Sequence, residues 1–197
     1  MNAELSGSRA ASDEESWYRL DADDRILAVG GNWDAFAREN GGEALVGGGL
    51  AGTRVYDHVA GHFTRRFLKD FLARARASGS ATRQSYRCDA PHAKRLMEMR
   101  AEACEGGGLR VSHRLIDERP MRIPMPTQDV TRAGIPGVLR CGNCNRVRGA
   151  GSSGKEWREP DVAPATGGPM KVIHTVCVDC RNGISARERW GLAPSAL

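Results

Sequence analysis

Two Cys-x-x-Cys pairs, Cys141/Cys144 and Cys177/Cys180, constrain this chain more than any other feature of its 197 residues. Each pair sets two thiols on one tight turn, where both can point at the same spot. Four sulfurs suffice to close a tetrahedron around Zn²⁺ at about 2.3 Å. The flanking residues are small and polar, Arg-Cys-Gly-Asn-Cys-Asn-Arg and Val-Cys-Val-Asp-Cys-Arg-Asn-Gly, which suits turns whose backbone N–H groups bond to thiolates. The stretch between the pairs, residues 145–176, exceeds the roughly 15–20 residues of the common ribbon spacing, so a ribbon with an inserted loop is expected. The competing readings are two disulfides, or thiols that never meet. A structural zinc held by Cys141, Cys144, Cys177 and Cys180 is the preferred one, because one paired motif is weak and two together are strong. His174, three residues before Cys177, is an alternative donor, but with four cysteines at hand it is assigned a supporting or packing place.

The remaining cysteines, Cys88 and Cys104, read as isolated thiols in strands. Six cysteines could suggest secretion, yet four of them are spaced for metal. No apolar run approaches the roughly 20 residues needed to span a bilayer. The opening Met-Asn-Ala-Glu-Leu-Ser-Gly-Ser-Arg has neither the basic nor the apolar region of a signal peptide. A cytoplasmic protein without membrane association is expected. Charge divides the chain: residues 1–119 carry 18 basic and 18 acidic residues, while 120–197 carry the other 11 basic and 6 acidic ones. The whole formal excess of +5 therefore lies in the cysteine-bearing part. Four thiolates on one Zn²⁺ would lower that excess to about +3, a balance that permits contact with nucleic acid without requiring it.

Residues 1–15 read as a disordered lead-in. Trp17–Leu20 and Arg25–Val29 flank an Asp-rich turn and form a hairpin. A helix follows from Asn32, its cap, to Gly41, its stop. Six glycines in 41–52 make a flexible connection. A longer helix is expected over 58–77, with Val59, Phe63, Phe67 and Phe71 recurring every four residues, and Ser78-Gly79-Ser80 ending it. The period then changes from helical to two. Tyr86 and Cys88, then Met97, Met99, Ala101 and Ala103, then Leu109, Val111, His113 and Leu115 alternate with polar residues over three strands joined by turns. The order is β-β-α-α-β-β-β, with the helices crossing between two edges of one antiparallel sheet. Pro120, Pro124, Pro126 and Pro136 make 119–137 a linker. Within the cysteine module, 149–154 reads as a flexible loop tip, and Trp157 as a small lid over the sulfurs. Residues 138–184 form that module and 185–197 a C-terminal tail.

Tyr18-Arg19-Leu20-Asp21-Ala22-Asp23-Asp24-Arg25-Ile26-Leu27-Ala28-Val29, Asn32–Ala37, and Tyr86–Pro91 with Arg95–Met99 together resemble a PAS sensor domain, over about half the chain. Cys141-x-x-Cys144, Val147-Arg148, Trp157 and His174-x-x-Cys177-x-x-Cys180 resemble a zinc-ribbon-like tail that follows PAS or receiver domains in bacterial signalling proteins. The resemblance implies an α+β fold: a PAS-like sensory domain over 16–118, then a small zinc-ribbon-like module. It implies a family that binds small ligands or partner proteins and often dimerises, so a signalling partner is expected and a homodimer is compatible with it. A cavity between sheet and helices would be lined by Phe36, Val59, Phe63, Phe67, Met97, Met99, Val111 and Leu115, and would take a small ligand of unspecified identity. The preferred reading of those residues is a filled core, in which the methionines and aromatics pack against each other.

No catalytic residue is assigned. Cys88 and His92 lie four apart, but Pro91 breaks any helix between them. His58 and His62 are read as surface histidines. The leading expectation is a non-enzymatic regulatory protein. The rival is a zinc-ribbon nucleic-acid-binding regulator, with Arg140, Arg146, Arg148, Arg158 and Lys171 on phosphates.

Overall fold

The computed structural model describes residues 15–39, 42–124, 126–129, 138–149, 156–162 and 169–193. Residues 1–14 of the expected lead-in, the centre of the loop tip and much of the proline-rich linker lie outside the described residues; Glu15, the last residue of that lead-in, is already in a strand.

Strand β1 (Glu15–Leu20) and strand β2 (Ile26–Gly31) form the first hairpin. Its turn is built by aspartates. The Asp21 carboxylate accepts hydrogen bonds from the backbone N–H groups of Asp23 and Arg25 (2.9 and 2.8 Å), and Asp24 takes φ = 62°. Asp24 then serves a second purpose: its carboxylate accepts from the Tyr56 hydroxyl and from the Arg76 guanidinium (2.6 Å), pinning the hairpin to later elements. Helix α1 (Trp33–Glu39) starts one residue after Asn32; Gly41, its expected stop, is outside the described residues.

Helix α2 (His62–Ser78) begins four residues later than the periodicity predicts. Residues 55–58 form a separate 3₁₀ turn, and Gly61, at φ = 83°, interrupts the helical backbone between them. Gly79, left-handed at φ = 63°, ends α2 as the sequence indicates. Strands β3 (Thr82–Arg87), β4 (Ala93–Ala103) and β5 (Leu109–Pro120) complete a five-stranded sheet in the order β2-β1-β5-β4-β3, every pair antiparallel. The expected mixed α+β class and antiparallel sheet are present, and α1 and α2 connect strands at opposite edges. Cys88 and Cys104 each fall one residue beyond a strand end rather than within a strand.

One face of this sheet is covered by α2. Phe71, Leu72 and Ala75 are fully buried with Met99, Ala101, Leu109 and Val111, and Tyr18, Leu20 and Ile26 extend the same core to the hairpin. Each large side chain so enclosed contributes about 1.5–3 kcal/mol. The outward positions of β4 are not simply solvated. Glu98 is buried, bridging Arg83 (3.1 Å) and Arg114 (3.0 Å) across its neighbouring strands.

The rest of the chain forms a second, mixed sheet. Strands β6 (Thr127–Asp129), β7 (Val138–Cys141), β8 (Val147–Gly149) and β9 (Met170–Thr175) lie in the order β6-β9-β7-β8, with β9 parallel to both β6 and β7. Two short helices follow, α3 (Val178–Arg181) and α4 (Ala186–Arg189). β5 runs to Pro120 and β6 lies within 119–137, so sheet structure enters the stretch expected as linker. Among the described residues no helix is long and apolar enough to cross a membrane.

The two sheets are joined through α2. A Cβ on Gly142 would lie 2.5 Å from the Thr64 hydroxyl oxygen, and one on Gly61 would lie 2.6 Å from the His174 Cβ. The first turns of α2 are therefore seated directly on β9 and on the first cysteine turn.

Inside the first sheet, His113 packs its ring 5.4 Å from Tyr18 and 5.7 Å from Tyr86, whose hydroxyl lies 2.8 Å from His113 Nδ1. Desolvation of the half-buried ring lowers its pKa to about 4 from the ordinary 6.5. The fold thus prefers the neutral imidazole. Stability from this source is complete above pH 6.5 and is lost as pH falls from 6.5 to about 4, where the loss levels off. Denaturant unfolding at pH 7 and pH 4.5 should show up to about 3 kcal/mol less stability at the lower pH from this ring. His113→Gln should flatten that dependence, and an unchanged pH profile in the variant would contradict the assignment.

Candidate metal centre

The first cysteine turn is shaped by its own sequence. Cys141 ends β7, and the chain reverses so that the Asn145 N–H donates to the Cys141 carbonyl (2.9 Å) and the Cys141 N–H to that of Arg146 (2.9 Å). Asn145 adopts φ = 57°, a left-handed conformation that asparagine tolerates better than most residues. The second turn uses a helix start. Cys177 caps α3, its sulfur accepting from the Cys180 N–H (3.5 Å). The Cys177 N–H in turn donates to the Cys141 sulfur (3.4 Å).

These turns bring all four sulfurs within 4.8 Å of one another, and all four residues are buried. Cys144 Sγ and Cys177 Sγ are 3.8 Å apart. That is the edge length, about 3.8 Å, of a tetrahedron with metal–sulfur bonds of about 2.3 Å. It is far beyond the roughly 2.05 Å of a disulfide, and all six cysteines are free thiols. The four cysteines could hold a metal ion, and the donor set fits one.

The electrostatics point the same way. Hydrogen bonds from Cys144, Cys177 and Cys180 hold the Cys141 thiol far below its ordinary pKa. Cys144 is pushed far above it by the same contact with Cys141, and Cys180 is also raised. Cys177 is lowered to about 6: contact with Cys141 raises it, but hydrogen bonds from Cys144 and Cys180 outweigh that, so two sulfurs ionise while the other two keep their protons. Ionising the whole set requires a compensating cation at its centre. Arg189 stands beside it. Burial alone would lower this guanidinium, but Asp179, at 2.9 Å, and then the nearby Cys144, Cys180 and Cys177 sulfurs raise it.

The cysteines do not sit in an isolated module. Their core contains Leu96 of β4, fully buried, together with Val176, Ala186 and Trp190, with Phe67 of α2 and Ile116 of β5 packed alongside. Trp157 also packs here, as expected, with the Arg148 guanidinium 5.3 Å from its ring centroid. His174 lies on β9 against Gly61 and is not part of the four-sulfur cluster.

Arg87, at the end of β3, ties the sheets together and was not anticipated from the sequence. Its backbone N–H donates to the Asn143 carbonyl in the first cysteine turn (2.7 Å). Its guanidinium forms a bidentate pair with buried Asp89 (2.8 and 2.6 Å), reaches Glu159 (3.0 Å) and lies 5.1 Å from the Trp190 ring centroid. Burial alone would lower the Arg87 pKa; Asp89 first, and then Glu159, outweigh it and raise it. Trp190 follows α4, which opens on a capping box in which Ser185 and Glu188 bond reciprocally. The Ser-x-x-Glu spacing is legible in the sequence, within the stretch read as a tail.

The residues expected to line a sheet–helix cavity do not converge. Met99 and Val111 are packed in the core under α2, and Met97 is buried. Phe36 and Val59 are half-buried. Phe67 turns to the cysteine core, while Phe63 is 54% and Leu115 42% exposed. The helix explains the spread: at 3.6 residues per turn, a step of four advances about 40°, so Phe63, Phe67 and Phe71 fan across about 80° of surface. The basic residues expected on phosphates are variously engaged. Arg146 approaches Glu159 (3.6 Å), Arg158 approaches Glu156 (3.5 Å), Arg148 covers Trp157, and Arg140 bonds to Thr127 (3.1 Å); Lys171 is exposed. Comparison of the chain with models of known protein families and with curated proteins finds no match.

Replacing Arg87 by Met should destabilise the protein by about 3–5 kcal/mol, because Asp89 would stay buried without its partner. Adding Asp89→Asn should restore much of the loss in urea unfolding. A double variant no more stable than the single one would show that packing against Trp190, not the ion pair, dominates.

Proposed function

We propose that this chain is a non-enzymatic signalling or regulatory protein. In it, a PAS-like sensing domain is joined to a structural zinc module through which a partner is contacted. The sheet order β2-β1-β5-β4-β3, all antiparallel, with α1 and α2 inserted between edge strands β2 and β3, supports the PAS-like reading. The observation that carries the zinc module is the buried four-sulfur cluster with tetrahedral edge spacing. Soft thiolate donors in a tetrahedral S₄ set select zinc or iron among common metals, and a closed S₄ set is the structural form of zinc site. Such a site leaves no position for substrate, which favours a binding role over catalysis. The nucleic-acid alternative is weakened by the engagement of Arg148 and Arg158 with other side chains.

Elemental analysis of purified protein from zinc-replete expression should find about one zinc per chain. The Cys141→Ser/Cys177→Ser variant should lose it. Less than half an equivalent in the parent, or full retention in the variant, would sink the zinc assignment.

The two functional classes separate by salt. Each phosphate contact on duplex DNA adds about 0.9 to the log–log salt slope, and a module with a small positive excess sustains few contacts. Labelled DNA and RNA pools should bind weakly and lose affinity at physiological ionic strength. Sequence-selective, sub-micromolar binding that survives this salt, and falls in Arg146→Ala/Arg148→Ala, would favour the nucleic-acid-binding regulator.

A further inference from the structure

Where the two sheets meet, a cavity of about 540 Å³ opens beside Cys144 and Trp190. That is ample for a small-molecule ligand. Six cations line it: Arg87, Lys94, Arg119, Arg122, Arg146 and Arg189. Three are held by carboxylates that do not line the cavity. Asp89 engages Arg87, Asp117 lies 3.2 Å from Arg119, and Asp179 lies 2.9 Å from Arg189. Cys144 and Arg189 both line the cavity, so the sulfur cluster borders it directly.

Lys94, Arg122 and Arg146 remain, against two carboxylates, Glu159 and Asp161. Asp161 pairs with Lys94 at 2.8 Å. Glu159 is divided three ways, at 3.0 Å from Arg87, 3.4 Å from Lys94 and 3.6 Å from Arg146. The Arg146 Nε is buried and makes no hydrogen bond. Arg122 donates its backbone N–H to Asp161, and its exposed guanidinium has no ion pair among the described residues. The cavity thus presents guanidinium donors that protein carboxylates do not use up. Planar, multi-donor guanidinium groups match the oxygens of a phosphate.

We propose that this junction cavity binds a small phosphorylated molecule, with Arg122 and Arg146 as its principal contacts. The site deepens the sensing role proposed above and rests on that reading for its meaning. It moves the ligand from the sheet–helix core to the seam between the first sheet and the cysteine cluster, where occupancy would draw Arg146 away from Glu159.

The probe is inorganic pyrophosphate, titrated calorimetrically into the zinc-loaded full chain at physiological salt, with zinc content measured before and after. One-to-one, sub-millimolar binding with zinc retained is expected. Arg146→Gln and, separately, the surface change Arg122→Gln should each weaken it about tenfold, as loss of a charge-assisted hydrogen bond does. Arg65→Gln/Arg66→Gln, in the basic groove on α2, should leave it unchanged. No saturable binding, or equal weakening by the α2 variant, would overturn the site while leaving the zinc result untouched. Tighter binding of a short single-stranded oligonucleotide, lost in the same Arg122 and Arg146 variants, would overturn the small-molecule assignment and give the site to nucleic acid.

Discussion

Four buried thiols in mutual contact cannot all give up their protons unless positive charge enters among them, and the second half of the structure depends on that constraint. The two cysteine turns come from elements with little apolar surface of their own: short strands β7 and β8 and one turn of helix at α3. What they have instead is a shared point, set by the Cys177 N–H aimed at the Cys141 sulfur of the other turn and the Cys180 N–H aimed at the Cys177 sulfur of its own. Metal-binding free energy in small thiolate sites is on the order of 10 kcal/mol or more, comparable with the stability of a whole domain. The cysteine core is also not private. Leu96, from β4 of the first sheet, is buried within it, so order in the cysteine cluster and order in the sheet are coupled.

The sequence was most legible where the physics is local. The Asp-rich hairpin, the α2 stop at Gly79 and the three alternating strands follow from turn chemistry and period-two patterning, and all are present. The cysteine cluster was legible for the same reason, since two residues of spacing suffice to aim paired thiols at one point. What escaped was non-local. Nothing in Tyr-Arg-Cys-Asp marks Arg87 as the residue that pairs with Asp89, reaches Glu159 and bonds to the turn at Asn143. Those partners lie 2, 72 and 56 positions away, and only the fold assembles them. The parallel strand β9, paired with β6 and β7, escaped for the same reason: parallel neighbours need long connections, and no hairpin signal announces them.

The phenylalanine series shows a subtler failure. A repeat of four is close enough to the helical period to read as one stripe, yet over three members it drifts far enough to serve three environments. Phe71 belongs to the sheet core, Phe67 to the cysteine core, and Phe63 to the surface. A single α2 face was expected; the helix in fact straddles two cores, and its drift is what lets it do so.

That placement gives α2 the properties of a connecting rod. Its 17 residues span about 25 Å. At one end Thr64 is held against Gly142, with no room for a methyl group between them. At the other, Arg76 grips Asp24 in the first hairpin and the Gly107 carbonyl in the turn between β4 and β5. A rigid helix clamped at both ends has few soft coordinates: it can slide or tilt, but it cannot absorb a displacement locally. The first cysteine turn and the first hairpin, remote in sequence, thus rest on the two ends of one helix.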